Sequence, residues 1–239
     1  MIKAILFDKD GTLLEFSEIW VDSIVKYLSK KNLNHDAKKK LFKKIGIKEN
    51  NEVEENSILS SETVEDLALI FAEFMEEGSD EIYEELDEFF LDFLKENKKF
   101  IRPTCDLKDL FENLKRRGII IGLFTSDNFR QAKYSMEYLN LDKFIDFYAA
   151  ADLYEKKPNT ESLEIFKEKY LLRDEEIIIV GDSKVDMIFG KDTVKLGVLC
   201  GTGSREMLLK YTENISKDPR GVLKFLWLKI FKYSDLSVL

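Results

Sequence analysis

The sequence predicts an α/β protein in which a doubly wound, mainly parallel central sheet is interrupted after its first strand by an all-helical insertion. Two observations carry this. Short apolar runs recur at Ile2 to Phe7, Ile119 to Phe124 and Ile177 to Val180, each closing on Gly, hydroxyl or carboxylate residues. Runs of that length without polar alternation are expected of strands covered on both faces, which is the condition of a parallel sheet between helices. Between the first two runs the apolar residues change to helical spacing, so strands and helices are segregated along the chain in a way that separates a sheet from a bundle.

The first run ends in Phe7-Asp8-Lys9-Asp10-Gly11-Thr12. An apolar run closing on Gly reads as a buried strand entering a tight turn, and the carboxyl ends of such strands are where open α/β sheets place their sites. Residues i and i+2 of an extended segment point to one side, so Asp8 and Asp10 can address one reacting centre. A site of few carboxylates suits Mg²⁺, which takes oxygen ligands and keeps water and substrate phosphate for the rest. Taken alone, the same residues also describe a polar surface turn.

From residue 15 to residue 97 three stripes at helical spacing predict a bundle. They are Ile19, Trp20, Ile24, Val25, Tyr27 and Leu28; Leu67, Ile70, Phe71, Phe74 and Met75; and Tyr83, Leu86, Phe89, Phe90, Phe93 and Leu94. Such stripes are read as bundle core. Charge is lopsided here: nine lysines from Lys26 to Lys48 crowd the first half, and acidic residues dominate from Glu52 to Glu96. Most of these charges are expected to be solvated helix faces that attract one another weakly.

The second run, closed by Thr125-Ser126-Asp127-Asn128, reads as a strand ending in hydroxyls. The third, closed by Gly181-Asp182-Ser183 with Asp186 following, reads as a strand ending in carboxylates. Between them Lys156-Lys157-Pro158-Asn159 precedes an amphipathic segment from Glu161 to Tyr170, with Pro near a helix start, where its missing N–H costs nothing. Each motif has an ordinary explanation by itself: Thr125, Ser126 and Asp182 as helix caps, Lys157 as a solvated lysine. Together and in this order they do not.

In these four motifs the chain resembles the haloacid dehalogenase superfamily, specifically phosphoglycolate-phosphatase-like hydrolases with a helical cap of the C1 type inserted after the first motif. The resemblance spans nearly the whole chain. It implies a Rossmann-like core from residues 1–14 and 98–239 and a cap domain from residues 15–97. It further implies that Asp8 is the nucleophile forming an aspartyl-phosphate, and that Asp10 is the general acid and base with its backbone carbonyl on Mg²⁺. Thr125, with Ser126 beside it, matches the strand-end hydroxyl, and Lys157 the phosphate-clamping lysine. Backbone N–H groups near Gly11 and Thr12 are expected on the phosphate. Asp182 matches a direct metal ligand, and Asp186 a ligand through water or a group orienting Lys157. The presence of Asp10 favours phosphate esters over halides, since an alkoxide leaving group needs a proton and a halide does not.

The implied activity is Mg²⁺-dependent hydrolysis of a small soluble phosphomonoester, of the phosphoglycolate or sugar-phosphate kind. One alternative is a sugar phosphomutase resembling β-phosphoglucomutase, which needs cap cations for a second phosphate; the acidic second half of the cap counts against it. The other is a silent binding protein, against which all five matching groups, Asp8, Asp10, Thr125, Lys157 and Asp182, are present. Glu15, Phe16, Ser17, Trp20 and the loop from Gly46 to Ser61 are the candidates for selecting substrate at the hinges and roof of a closing lid.

Composition agrees with this reading. A chain of 239 residues accommodates a core plus an insertion. A net charge of -9 argues against nucleic acid as a partner. The first strand begins directly at the N-terminus, so no signal peptide is expected and the location is expected to be cytoplasmic. Cys105 and Cys200 are expected as free buried thiols, and His35 as a surface residue. The apolar stretch from Val222 to Phe231 is too short for a membrane span of roughly 18 residues and is expected to pack on the core. No sequence feature specifies an oligomer.

Overall fold

A computed structural model describes residues 1–224 and 226. Its strands are β1 (Ala4–Phe7), β2 (Ile120–Phe124), β3 (Phe147–Ala149), β4 (Ile177–Gly181), β5 (Val194–Val198) and β6 (Ile215–Ser216). They form one all-parallel sheet in the order β3-β2-β1-β4-β5-β6. Strand β1 lies between β2 and β4, with Ala4 opposite Ile120 on one side and Ile177 on the other. All four of its residues are buried, as the continuous apolar run requires.

The pleat divides the core into two layers. Ile5, Phe7, Ile121, Leu123, Ile178 and Val180 face one side, where they pack with Leu110, Phe111 and Leu114 of helix α6 (Leu107–Arg116). Leu6, Phe124 and Ile179 face the other and pack with Leu163 and Phe166 of helix α8 (Glu161–Tyr170), the segment expected from the sequence. Helix α7 (Phe129–Tyr138) follows β2; the short α9 (Lys184–Ile188) follows β4 and α10 (Arg205–Leu208) follows β5. Helices cover both faces, which is what doubly wound means in this molecule.

Strands β3, β5 and β6 carry no signal that the sequence reading used. Two of them, β3 and β6, are short edge strands. Strand β5 carries Lys195 and Gly197 within an otherwise apolar run. Lys195 is nonetheless buried, its ammonium donating to the Gly190 carbonyl and the Thr193 hydroxyl.

Between β1 and α6 stand five α-helices, α1 (Ser17–Ser29), α2 (His35–Ile45), α3 (Ile58–Ser61), α4 (Val64–Ala72) and α5 (Ser79–Glu96). Ile24, Leu28, Phe71, Leu86 and Phe90 are buried between them. Val25 departs from the expected stripe and is exposed: it lies at the edge of an apolar face that its neighbours Ile24 and Leu28 already complete. Phe74 and Met75 lie beyond the end of α4 yet still pack on the core. The lopsided charge resolves into cross-helix pairs, Lys26 with Glu96, Lys31 with Glu77 and Glu85, and Lys44 with Glu73. His35 is exposed at the start of α2. Cys105 and Cys200 are free and half-buried rather than fully buried.

No helix among the described residues is long and apolar enough to cross a membrane. Of the apolar C-terminal stretch, Val222 is fully buried and Leu223 and Leu226 pack against the core; residues 225 and 227–231 lie outside the described residues.

Candidate active site

Three strands deliver the site. The ladder continues one residue past β1, where the Asp8 N–H donates to the Val180 carbonyl at 2.9 Å, so the Asp8 backbone is held as rigidly as the strand itself. On the neighbouring strand Thr125 is fixed in the same way, its N–H donating to the Ala149 carbonyl at 2.9 Å. Asp182 follows the last residue of β4. Asp8, Thr125 and Asp182 therefore share one carboxyl edge, and all three line a cavity of about 50 Å³ beneath α3 and α4.

Lys157 enters this edge from the loop before α8. Its ammonium donates to Asp8 Oδ1 at 2.7 Å, to Asp186 Oδ1 at 2.6 Å and to the Phe124 carbonyl at 3.1 Å. Burial works against the lysine charge, but Asp186 and Asp8 override it and hold its pKa above the usual lysine range. Burial pushes the Asp8 carboxyl well up; Lys157 opposes the shift, while Asp186 and Asp182 add to it.

Asp182 is 2% exposed and held from two sides. Oδ2 accepts from the Thr202 N–H at 2.7 Å and Oδ1 from the Thr12 hydroxyl at 3.1 Å. Burial, with Asp186 second, pushes its pKa from 3.8 up to about 6. The backbone closes round it. Gly11 lies at φ +83°, where a side chain is strained, and a Cβ there would stand 2.6 Å from Asp182 Oδ2; one at Gly201 would stand 2.1 Å from the same oxygen. Glycine is required at both because nothing larger fits beside the carboxylate.

Asp186 sits in the first turn of α9. Its Oδ2 accepts from the Ser183 hydroxyl at 2.6 Å and N–H at 3.1 Å, leaving Oδ1 for Lys157. Ser183, not Asp182, caps α9. At α7 the cap position belongs to Asn128, so Thr125 and Ser126 are not caps either. The Thr125 hydroxyl accepts from the Asp127 N–H at 3.1 Å, and the Ser126 hydroxyl reaches the Ser61 carbonyl of α3 at 3.2 Å.

Gly11 and Thr12 stand apart from the expectation. Neither lines the cavity. Their N–H groups are directed into their own turn, Gly11 to the Leu14 carbonyl at 2.7 Å and Thr12 to that of Lys9 at a long 3.4 Å. Both residues lie against Asp182, Thr12 through its hydroxyl and Gly11 through the close approach of its backbone.

Two features of the site have no reading in the sequence analysis, one lysine and one loop. Lys9, between the two aspartates, is 2% exposed. It lies 2.7 Å from Asp10 Oδ2 and 2.8 Å from Asp127 Oδ2, pairing with two carboxylates at once. The buried Asp127 carboxyl is pushed up to about 7 by burial, against the pull of Lys9. A basic residue flanked by acids at a strand end was the available signal. The Gly201-Thr202-Gly203 loop after β5 was the other; its pattern resembles any turn until Asp182 is placed against it.

Carboxylate oxygens of Asp8, Asp182 and Asp186 come within 4.8 Å of one another. The Asp10 carboxylate stands outside this group, drawn to Lys9. An oxygen-only set of buried acids in a glycine-lined cradle fits a hard divalent cation such as Mg²⁺.

Of the cap candidates, Phe16 and Trp20 line the cavity, as do Leu59, Ser60 and Ser61 at the end of the polar loop. Glu15 points away and pairs with Arg102 at 2.7 Å. The side chain of Ser17 lies outside what is described. Cap and core are tied by Lys156 to Asp66 at 2.6 Å and to Glu62 at 3.2 Å, and by the Ser204 N–H to Glu55 at 2.7 Å.

A six-stranded parallel sheet with paired carboxylates just past its first strand and helices over them defines the class of protein. The chain belongs to the haloacid dehalogenase-like hydrolase family, whose model matches residues 5–195. Among curated proteins, pyrophosphatase PpaX of Bacillus mycoides is 24% identical over 192 residues, covering 80% of each chain. Among solved structures, a predicted phosphoglycolate phosphatase from Haemophilus somnus matches with a TM-score of 0.70 at 20% identity, covering 94% of this chain and 98% of that one. The β-phosphoglucomutase of Clostridium difficile matches with a TM-score of 0.69 at 20% identity, covering both chains fully. At these identities the structural likenesses establish the fold.

Proposed function

We propose that this chain is a Mg²⁺-dependent phosphatase of small phosphomonoesters that works through an aspartyl-phosphate on Asp8. The observation that carries the proposal is the convergence at one cavity of a strand-end carboxylate clamped by Lys157, a second carboxylate two residues on, and the Asp182 and Asp186 pair within ligating distance. We take residues 1–14 and 98–239 as the catalytic core and 15–97 as its cap.

In the first step an Asp8 carboxylate oxygen bonds to phosphorus and the bond from phosphorus to the alcohol oxygen breaks. Asp10 gives its proton to that departing oxygen. In the second step Asp10 takes a proton from water, whose oxygen bonds to phosphorus as the bond to Asp8 breaks, releasing phosphate. Splitting one displacement into two in this way is the benefit of a carboxylate nucleophile. Lys157 sets the orientation of Asp8 and offers positive charge to the phosphoryl oxygens, while the Thr125 hydroxyl supplies a donor at the neighbouring strand end. Mg²⁺ held by Asp8 and Asp182, with Asp186 behind, would supply the remaining positive charge to the transferring group. Lys9 holds Asp10 against Asp127 and so fixes where its proton is delivered.

Phosphate release from a panel of esters, with Mg²⁺ or with EDTA and with wild type beside Asp8→Asn, tests this. Release that both EDTA and the substitution abolish is expected. Activity persisting in Asp8→Asn overturns the covalent route.

A further inference from the structure

The floor of the cavity and its roof differ in charge. Lys157 is the single cationic side chain lining it among the described residues, and it belongs to the floor, where Asp8 and Asp186 already share its charge. The cap contributes an apolar wall of Phe16, Trp20, Leu59, Val64 and Leu67, the neutral residues Ser60, Ser61 and Thr63, and one charged group, Glu62. Glu62 Oε2 lies 3.2 Å from Lys156, but Lys156 is also bound to both carboxylate oxygens of Asp66 at 2.6 and 2.7 Å. One ammonium thus faces two carboxylates, so the latch adds no net positive charge to the roof.

A phosphate group is attracted to the floor. Whatever is attached to that phosphate projects toward the cap within the same cavity, whose whole volume of about 50 Å³ is room for only a few waters. A carboxylate or second phosphate placed there would lose its hydration, meet the Glu62 carboxylate, and find no cation. An ammonium would meet a carboxylate whose charge Lys156 already shares. A hydroxyl can donate to Glu62 while its carbon skeleton lies on the apolar wall.

Resting on the phosphatase reading above, we infer that the site selects a small monophosphate ester whose leaving group is an uncharged, hydroxyl-bearing alcohol, and that Glu62 enforces this by rejecting a second negative charge. The same absence of a cap cation disfavours a bisphosphorylated sugar, and with it the mutase reaction.

The test is kcat/KM of the Mg²⁺-loaded full chain for glycerol 3-phosphate, phosphoglycolate, inorganic pyrophosphate, phosphoethanolamine and p-nitrophenyl phosphate. Glycerol 3-phosphate is expected to exceed phosphoglycolate and pyrophosphate by about tenfold or more, the effect of one like charge at a partly screened distance, and phosphoethanolamine by about as much, the cost of desolvating an ammonium beside a carboxylate that Lys156 already holds. Any of those three matching it, or falling short of it by less, overturns the inference. Turnover of p-nitrophenyl phosphate in that case leaves the phosphatase reading standing, whereas no turnover of any of the five overturns both. In Glu62→Gln the ratio of phosphoglycolate to glycerol 3-phosphate turnover is expected to rise about tenfold. An unchanged ratio in a folded variant overturns the part assigned to Glu62.

Discussion

The floor and the roof of the cavity are built on opposite principles. On the floor, buried charges are held by several partners each: Asp182 by Thr12 and Thr202, Asp186 by Ser183 and Lys157, Asp10 and Asp127 by Lys9. On the roof, apolar and hydroxyl side chains face the cavity with a single charge, Glu62, which is itself paired in an exposed latch with Lys156. In the proposed reaction, fixed charges that cannot reorganise would stabilise a charged transition state at no further cost, and a roof tied in part by screened pairs would be the side free to move. Chemistry is assigned to the first and selection to the second.

The largest break in that comparison is expected at the nucleophile. Asp8→Asn keeps the shape of the floor and removes the attacking charge, so kcat for an aryl phosphate should fall by about 10⁴-fold or more, with far-UV circular dichroism unchanged. Retained turnover would move the chemistry away from the strand end.

Next in size is Lys157→Met, which leaves Asp8 and Asp186 buried and unpaired. Removing one partner of a buried ion pair costs about 3–5 kcal/mol, read from the urea midpoint of the metal-free protein. A loss below 1 kcal/mol (about what an exposed pair contributes) would show that the floor is wetter than its burial implies.

The third prediction concerns pH and metal together. Asp182 is raised from 3.8 to about 6 and Asp127 from 3.8 to about 7, so the folded chain retains protons that the unfolded chain releases. Their contribution to stability is complete below the unfolded value and is lost as pH rises through that window. Metal-free protein should therefore weaken between about pH 4 and pH 7 in denaturant titrations. Mg²⁺ at about 100 times its Kd should restore about 2.7 kcal/mol at neutral pH. A flat profile in EDTA would refute the floor's electrostatic strain.

The smallest effect belongs to the roof. Lys156→Ala removes an exposed latch and should cost about 0–1 kcal/mol of stability, while raising KM more than it changes kcat. An equal fall in kcat would place the latch in the chemistry after all.

Legibility in the sequence followed the same division. The places of Asp8, Asp10, Thr125, Lys157 and Asp182 are legible because each closes an apolar run or precedes a helix, and local pattern reports strand ends well; Asp186 instead lies inside the first turn of α9. Lys9 was passed over although it lies between two named aspartates, since a lysine at a turn is ordinarily solvated and only three-dimensional packing buries it against Asp127. The contact of Gly11 and Thr12 with Asp182 joins two strand ends far apart in the chain and is invisible to local pattern. Strands β3 and β6 are too short to show a period, and Val25 fell outside the bundle because a stripe does not state how wide the buried face is.

By itself, then, the sequence determined which residues stand at strand ends and that helices fill the span between the first two strands, because burial on both faces and helical periodicity are properties of neighbouring residues. The tertiary structure alone decided the partners: that Lys157 reaches Asp186, that Thr202 and Gly201 wrap Asp182, and that Glu62 is the charge facing the cavity from above. Those contacts join segments far apart in the chain, and no local pattern encodes the distance between two side chains that meet only when the sheet and its lid have closed around them.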